Sequence, residues 1–179
     1  MPIVTATQVR ISHITYCIPP RVAQRVTNPA SAVFDDQIRP DHRLLARPDS
    51  KRERLVQVRD GSPLRCAGGP LWMIDLDRMR RRGLERARHR LAQRRDGVRT
   101  QQWRRWETEL LELGEDAYLE YWQLRHAAVD ALCELRSADR RPPLCPLNNS
   151  PHARLAYVRQ ANRRLAELPG GTLLLAARV

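Results

Sequence analysis

Between Gln101 and Arg136, apolar side chains recur at α-helical spacing more regularly than anywhere else in the chain. Trp103, Trp106, Leu110, Leu113, Ala117, Tyr121, Leu124, Ala128, Leu132 and Leu135 fall on one stripe about 100° wide. Leu111, Tyr118, Trp122, Val129 and Cys133 form a second stripe beside it. Glu109, Glu112, Asp116, Glu120, Asp130 and Glu134 line the opposite side. A helix so apolar must touch partners on two sides. Thr100 is the expected N-cap and Gly114 a kink, over a span of roughly 50 Å.

The segment before it is as basic as this one is acidic. Asp75 to Arg105 holds twelve arginines and four acids, a net of +8. Trp106 to Asp139 holds nine acids and two arginines, a net of −7. The basic segment reads as a helix from Leu76 to Arg95, capped by Asp75 and stopped by Asp96-Gly97. Its apolar positions Leu76, Met79, Leu84, Ala87 and Leu91 are interrupted by Arg80 and Arg90, so it is not expected to pack deeply. The charge switch suggests a long antiparallel helical hairpin over 75–136, basic arm against acidic arm.

The first 74 residues read as a β- and loop-rich part. QVRISHITYCI, residues 8–18, is rich in β-branched side chains and ends at Pro19-Pro20, which predicts a strand. Prolines 19, 20, 29, 40 and 48 confine residues 19–50 to loop, with a helical turn from Ser31 to Ile38. Residues 53–59 and 64–67 flank Asp60-Gly61-Ser62-Pro63 and read as a hairpin. Residues 137–149 read as a linker. Ser150-Pro151 then opens a third helix over His152–Leu168, stopped by Pro169-Gly170-Gly171. The apolar tail Thr172–Val179 is placed as a strand beside 8–18. The expected class is α+β and mostly helical: one domain over residues 1–179, with a small β-rich N-terminal part, a long antiparallel helical hairpin and a third helix in 150–179.

Net charge is +12 and the pI about 11, which points to polyanionic partners. Of 32 basic residues only Lys51 is lysine. A G+C-rich bacterial genome produces such a bias as readily as phosphate recognition does. MPIVTATQVR lacks the basic start and apolar run of a secretory leader. No stretch reaches the roughly 18 apolar residues of a membrane span. The expectation is a cytoplasmic protein that engages no membrane. Cys17, Cys66, Cys133 and Cys145 have neither CxxC nor zinc-finger spacing and read as reduced thiols with no metal.

Arg78, Arg80, Arg81, Arg82, Arg86, Arg88, Arg90, Arg94 and Arg95 encircle the basic helix. Acids confined to one stripe can neutralise only one side of it, so the other arginines stay free for phosphate. Arg140 and Arg141 in the linker, with Arg159, Arg163 and Arg164 on the third helix, extend the candidate surface. Trp103, beside Arg104 and Arg105, is the best-placed aromatic for stacking on a base; the others read as core. His13, His42, His89, His126 and His152 belong to no recognised catalytic motif, and Asp75 and Asp77 suit capping better than metal binding. Gly68-Gly69 and Gly170-Gly171 lack the strand–loop–helix setting of a phosphate loop. The chain therefore reads as a non-enzymatic, cofactor-free, nucleic-acid-binding accessory subunit of a larger nucleoprotein assembly, with DNA and RNA not distinguished. The alternative is an adaptor or inhibitor whose arginine-rich face docks on an acidic protein surface.

Overall fold

The run Leu173–Ala177 is continuously apolar, the pattern of a strand covered on both faces, and it lies at the centre of the sheet. The structure is a computed structural model and describes residues 11–24, 30, 33–34, 37–97, 103–127, 133–137 and 141–179. In chain order these form β1 (His13–Ile18), α1 (Pro20–Ala23), β2 (Arg39–Pro40), β3 (Leu44–Leu45), β4 (Arg65–Cys66), β5 (Gly68–Pro70), α2 (Leu76–Arg95), α3 (Arg105–Leu111), α4 (Glu115–Arg125), β6 (Cys133–Ser137), α5 (Pro151–Ala166) and β7 (Leu173–Arg178). Single 3-10 turns occupy Arg52–Arg54 and Leu71–Met73.

On one side β7 pairs antiparallel with β1, Ile14 opposite Ala177 and Ile18 opposite Leu173. Along its other edge it pairs with β2 at one end and β5 at the other. β6 closes the far side, parallel to β1 with Thr15 opposite Leu135. Leu174, Leu175, Ala176 and Ala177 are completely buried. A separate two-stranded ladder joins β3 to β4.

Several elements follow from local chemistry. Asp75 accepts a hydrogen bond from the Arg78 amide and starts α2, which ends at Arg95 before Gly97 at φ 68°. Ser150 accepts from the Ala153 amide, and Pro151 fills the first helical position of α5. The tail strand pairs beside β1, as its composition predicts.

The long helical hairpin is not formed. Gly114 adopts φ 114°, a conformation that side chains of L-residues rarely reach. It ends one helix and starts the next, so a predicted kink is a complete break between α3 and α4. Further on, Cys133–Ser137 leaves the helical pattern altogether and becomes a strand, with Leu135 fully buried. Sheet pairing with β1 overrides helical periodicity there. The proposed cap Thr100 lies outside the described residues; α3 starts after Arg104. The predicted 53–59/64–67 hairpin is formed in part. The two segments do pair antiparallel around the turn, the Arg59 amide donating to the Arg65 carbonyl and the Ala67 amide to the Val56 carbonyl, but the first begins in a 3-10 turn instead of a strand, and Arg65–Cys66 also pairs with Leu44–Leu45.

The arginine-rich helix packs more closely than its sequence suggests. Met79, Gly83, Ala87 and Leu91 are buried on one face against α4. Gly83 sets that approach: a β-carbon there would overlap the Trp122 carbonyl oxygen and come within 2.8 Å of Nδ1 of His126. The two helices run antiparallel, with Gly83 near the C-terminal end of α4 and Arg95 paired with Glu115 at its start.

An arginine-lined cleft as candidate functional site

Where α2 draws close to α4, the flank of α2 opens into a cleft of about 970 Å³. Met79, Arg82, Glu85, Arg86, His89 and Arg90 line it from α2. Arg43, Leu45 and Arg65 enter from the β3–β4 ladder and the loop before it. Arg104, Trp106 and Glu107 come from the start of α3, and Trp122, Arg125 and His126 from the end of α4. Among the described residues, seven arginines and two histidines thus face two carboxylates.

One of those carboxylates is already committed. Glu107 is almost fully buried and lies 3.0 Å from Arg90. Its Oε2 also accepts from the Arg104 amide at 3.1 Å, closing the first turn of α3. Arg90 lies over Trp103 and Trp122, with its guanidinium carbon 5.1 and 5.9 Å from their ring centroids. The Tyr118 phenol is buried beside this pair. Burial and the Glu107 carboxylate push its pKa above the usual tyrosine value, opposed in part by Arg90 and Trp122.

The other walls are held differently. Arg43 donates to Thr15 Oγ1 at 2.6 Å, which ties the cleft to β1. His126 Nδ1 donates to the Trp122 carbonyl at 2.8 Å. Arg125 covers Trp122 at 4.5 Å, and Arg154 of α5 lies 4.9 Å from the centroid of Trp106. Arg65, Arg82, Arg86 and Arg104 have exposed side chains and no ion-pair partner among the described residues.

The arginines singled out from sequence are divided by this arrangement. Arg82, Arg86 and Arg90 face the cleft. Arg80 turns toward α5 and donates to Asn162 Oδ1 at 3.1 and 3.2 Å while pairing with Asp77. Arg94 stacks on Trp103 at 4.8 Å. Arg95 hydrogen-bonds Glu115, which raises its pKa. Arg159 binds Glu120 at 2.6 Å, and this bond holds the Glu120 carboxyl below its usual pKa. Arg164 donates to the Pro142 carbonyl and Arg141 lies 3.9 Å from Glu167. Arg78, Arg81, Arg88 and Arg163 stand outside the cleft; the last three are exposed. Arg140 lies outside the described residues. Trp103 is partly buried among Arg90, Arg94 and Tyr118 rather than presented as an open platform.

Sequence reasoning missed Arg43, Arg65, Arg104, Arg125, His89 and His126 as cleft residues. Arg43 and Arg65 lie in short strands and loops with no local motif, and Arg125 looked like an isolated base on an acidic helix. Elsewhere, Ser12 Oγ lies 2.8 Å from His13 Nδ1, but His13 Nε2 is 3.7 Å from Asp41, too far for a hydrogen bond. Asp41 also neighbours Arg43 and Arg178. Among the described residues no cluster of His, Cys, Asp and Glu is arranged to hold a metal ion, and no helix is long and apolar enough to cross a membrane. No protein-family model matches the chain, and neither the curated proteins nor the solved structures contain a significant match.

Proposed function

We propose that this protein binds nucleic acid through its phosphate backbone, with little dependence on sequence, using the arginine-lined cleft. The observation that carries this reading is the charge imbalance of the cleft among the described residues: Arg65, Arg82, Arg86 and Arg104 are exposed with no ion-pair partner there, and of the two lining carboxylates Glu107 is already paired with Arg90. These four guanidiniums in one recess repel one another, and an anion relieves that repulsion. Each phosphate they neutralise releases condensed counterions, so affinity falls as salt rises. Arginine also meets phosphate oxygens through two parallel N–H donors, which lysine cannot do. Exposed Arg81, Arg88 and Arg163 lie outside the cleft and add only a diffuse, salt-screened positive field.

The test is fluorescence anisotropy with random-sequence single-stranded DNA and RNA over a salt series. Binding to both is expected, with log affinity falling linearly in log salt at a slope of about −0.7 per neutralised phosphate. Absence of binding at low salt, with one acidic protein recovered from cells, would instead make the cationic face a protein-docking surface.

A further inference from the structure

We infer that the cleft reads phosphates and not bases: its ligand is recognised as a chain of phosphate groups, whatever carries them. This rests on the cleft being the nucleic-acid site proposed above.

The lining is rich in donors and poor in acceptors. Each guanidinium offers five N–H donors and no acceptor. Glu107 spends its oxygens on Arg90 and the Arg104 amide, so Glu85 is the one lining carboxylate outside an ion pair to a described residue. Among the described residues no asparagine or glutamine side chain lines the cleft. Arginine donors can meet guanine O6 and N7, but the donor groups of adenine and cytosine call for the amide or carboxylate acceptors in which this lining is poor. A phosphate chain presents acceptors alone, which is what a wall of guanidiniums matches.

The aromatic rings point the same way. Bases bind sequence-tolerantly by stacking on exposed rings. Here the rings around the cleft already carry guanidiniums: Arg125 on Trp122, Arg154 on Trp106, and Arg90 and Arg94 on Trp103. Trp122 is 8% exposed, too little to offer a face to a base. The cleft cations without an ion pair among the described residues come from separate places, Arg65 on β4, Arg82 and Arg86 on α2, and Arg104 ahead of α3. That spread suits successive phosphates better than a single one.

The experiment uses the whole chain and a fluorescein-labelled single-stranded oligonucleotide. An abasic strand of the same length, inorganic polyphosphate and free nucleosides compete for it. The abasic strand is expected to compete within about twofold of the intact strand, and nucleosides not at all; stacked bases would cost at least about fivefold for each one removed. Competition by polyphosphate as well would show that bare phosphates suffice, while its failure beside a competent abasic strand would assign the sugar–phosphate backbone. Both outcomes support the inference. An abasic strand weaker by tenfold or more overturns it. If the labelled strand does not bind, the nucleic-acid reading fails by itself. Direct calorimetry with polyphosphate then decides the inference: binding sustains it, and no binding removes it.

Discussion

Removing the Glu107 carboxylate leaves Arg90 against Trp103 and Trp122 with its charge unmatched. A buried pair broken from one side costs several kcal/mol, because the remaining ion has lost its solvent and its partner. Glu107→Leu is therefore expected to lower unfolding stability by roughly 3 kcal/mol in urea titration; a loss under about 0.5 kcal/mol would mean that Arg90 is solvated from the cleft. The cysteines offer a second check. Burial raises the Cys66 thiol from 9.0 to about 11, so at pH 8 it carries far less thiolate than an ordinary cysteine. Thiolate is the reactive form. Exposed Cys145 should react with Ellman's reagent at once, and buried Cys66 and Cys17 only as the protein unfolds. Rapid modification of Cys66 in the folded protein, mapped by mass spectrometry, would contradict its burial.

Helices closed by their own side chains were legible in the sequence. Asp75 with Gly97, and Ser150 with Pro151, delimit α2 and α5 within a residue or two, because capping is a local interaction. The break at Gly114 was legible only as a weakness, since a glycine reports permission for positive φ and not its use. The strand Cys133–Ser137 was illegible: its partner His13–Cys17 is more than a hundred residues away, and periodicity within one segment carries no information about it. The close approach of α2 and α4 was hidden likewise in Gly83, which reads in sequence as a flaw in a helix. Gly83→Ala should raise local helix propensity, yet it should destabilise the protein by about 1–3 kcal/mol through overpacking against the Trp122 carbonyl and His126. Denaturant melts that show a gain would mean that α2 and α4 can separate without loss.

At the scale of the molecule, the excess of arginine is distributed rather than uniform. Among the described residues Asp77, Glu107, Glu115, Glu120 and Glu167 pair with Arg80, Arg90, Arg95, Arg159 and Arg141, so five of the candidate arginines are internally matched. The cleft could not have been assembled from sequence, because its lining comes from segments around residues 43–45, 65, 79–90, 104–107 and 122–126, brought together by the sheet and the α2–α4 contact. A ligand that binds only the folded state stabilises it by mass action. Polyphosphate at a hundredfold excess over its dissociation constant should add about 2.7 kcal/mol, a rise in melting temperature of roughly 5–10 °C. A neutral polymer should give none, and an equal shift with both would dissociate stabilisation from charge.

Two double reversals on α2 change the net charge identically but differ in position. Arg82 and Arg86 face the cleft, whereas Arg81 and Arg88 lie outside it on exposed surface. Oligonucleotide affinity across a salt series should fall by at least about tenfold in R82E/R86E, with the salt slope shallower by about 1 to 1.5. R81E/R88E should keep most of its affinity and slope. Equal losses in the two, or a larger loss in R81E/R88E, would show that the molecule's overall charge binds the polyanion and that the cleft does not.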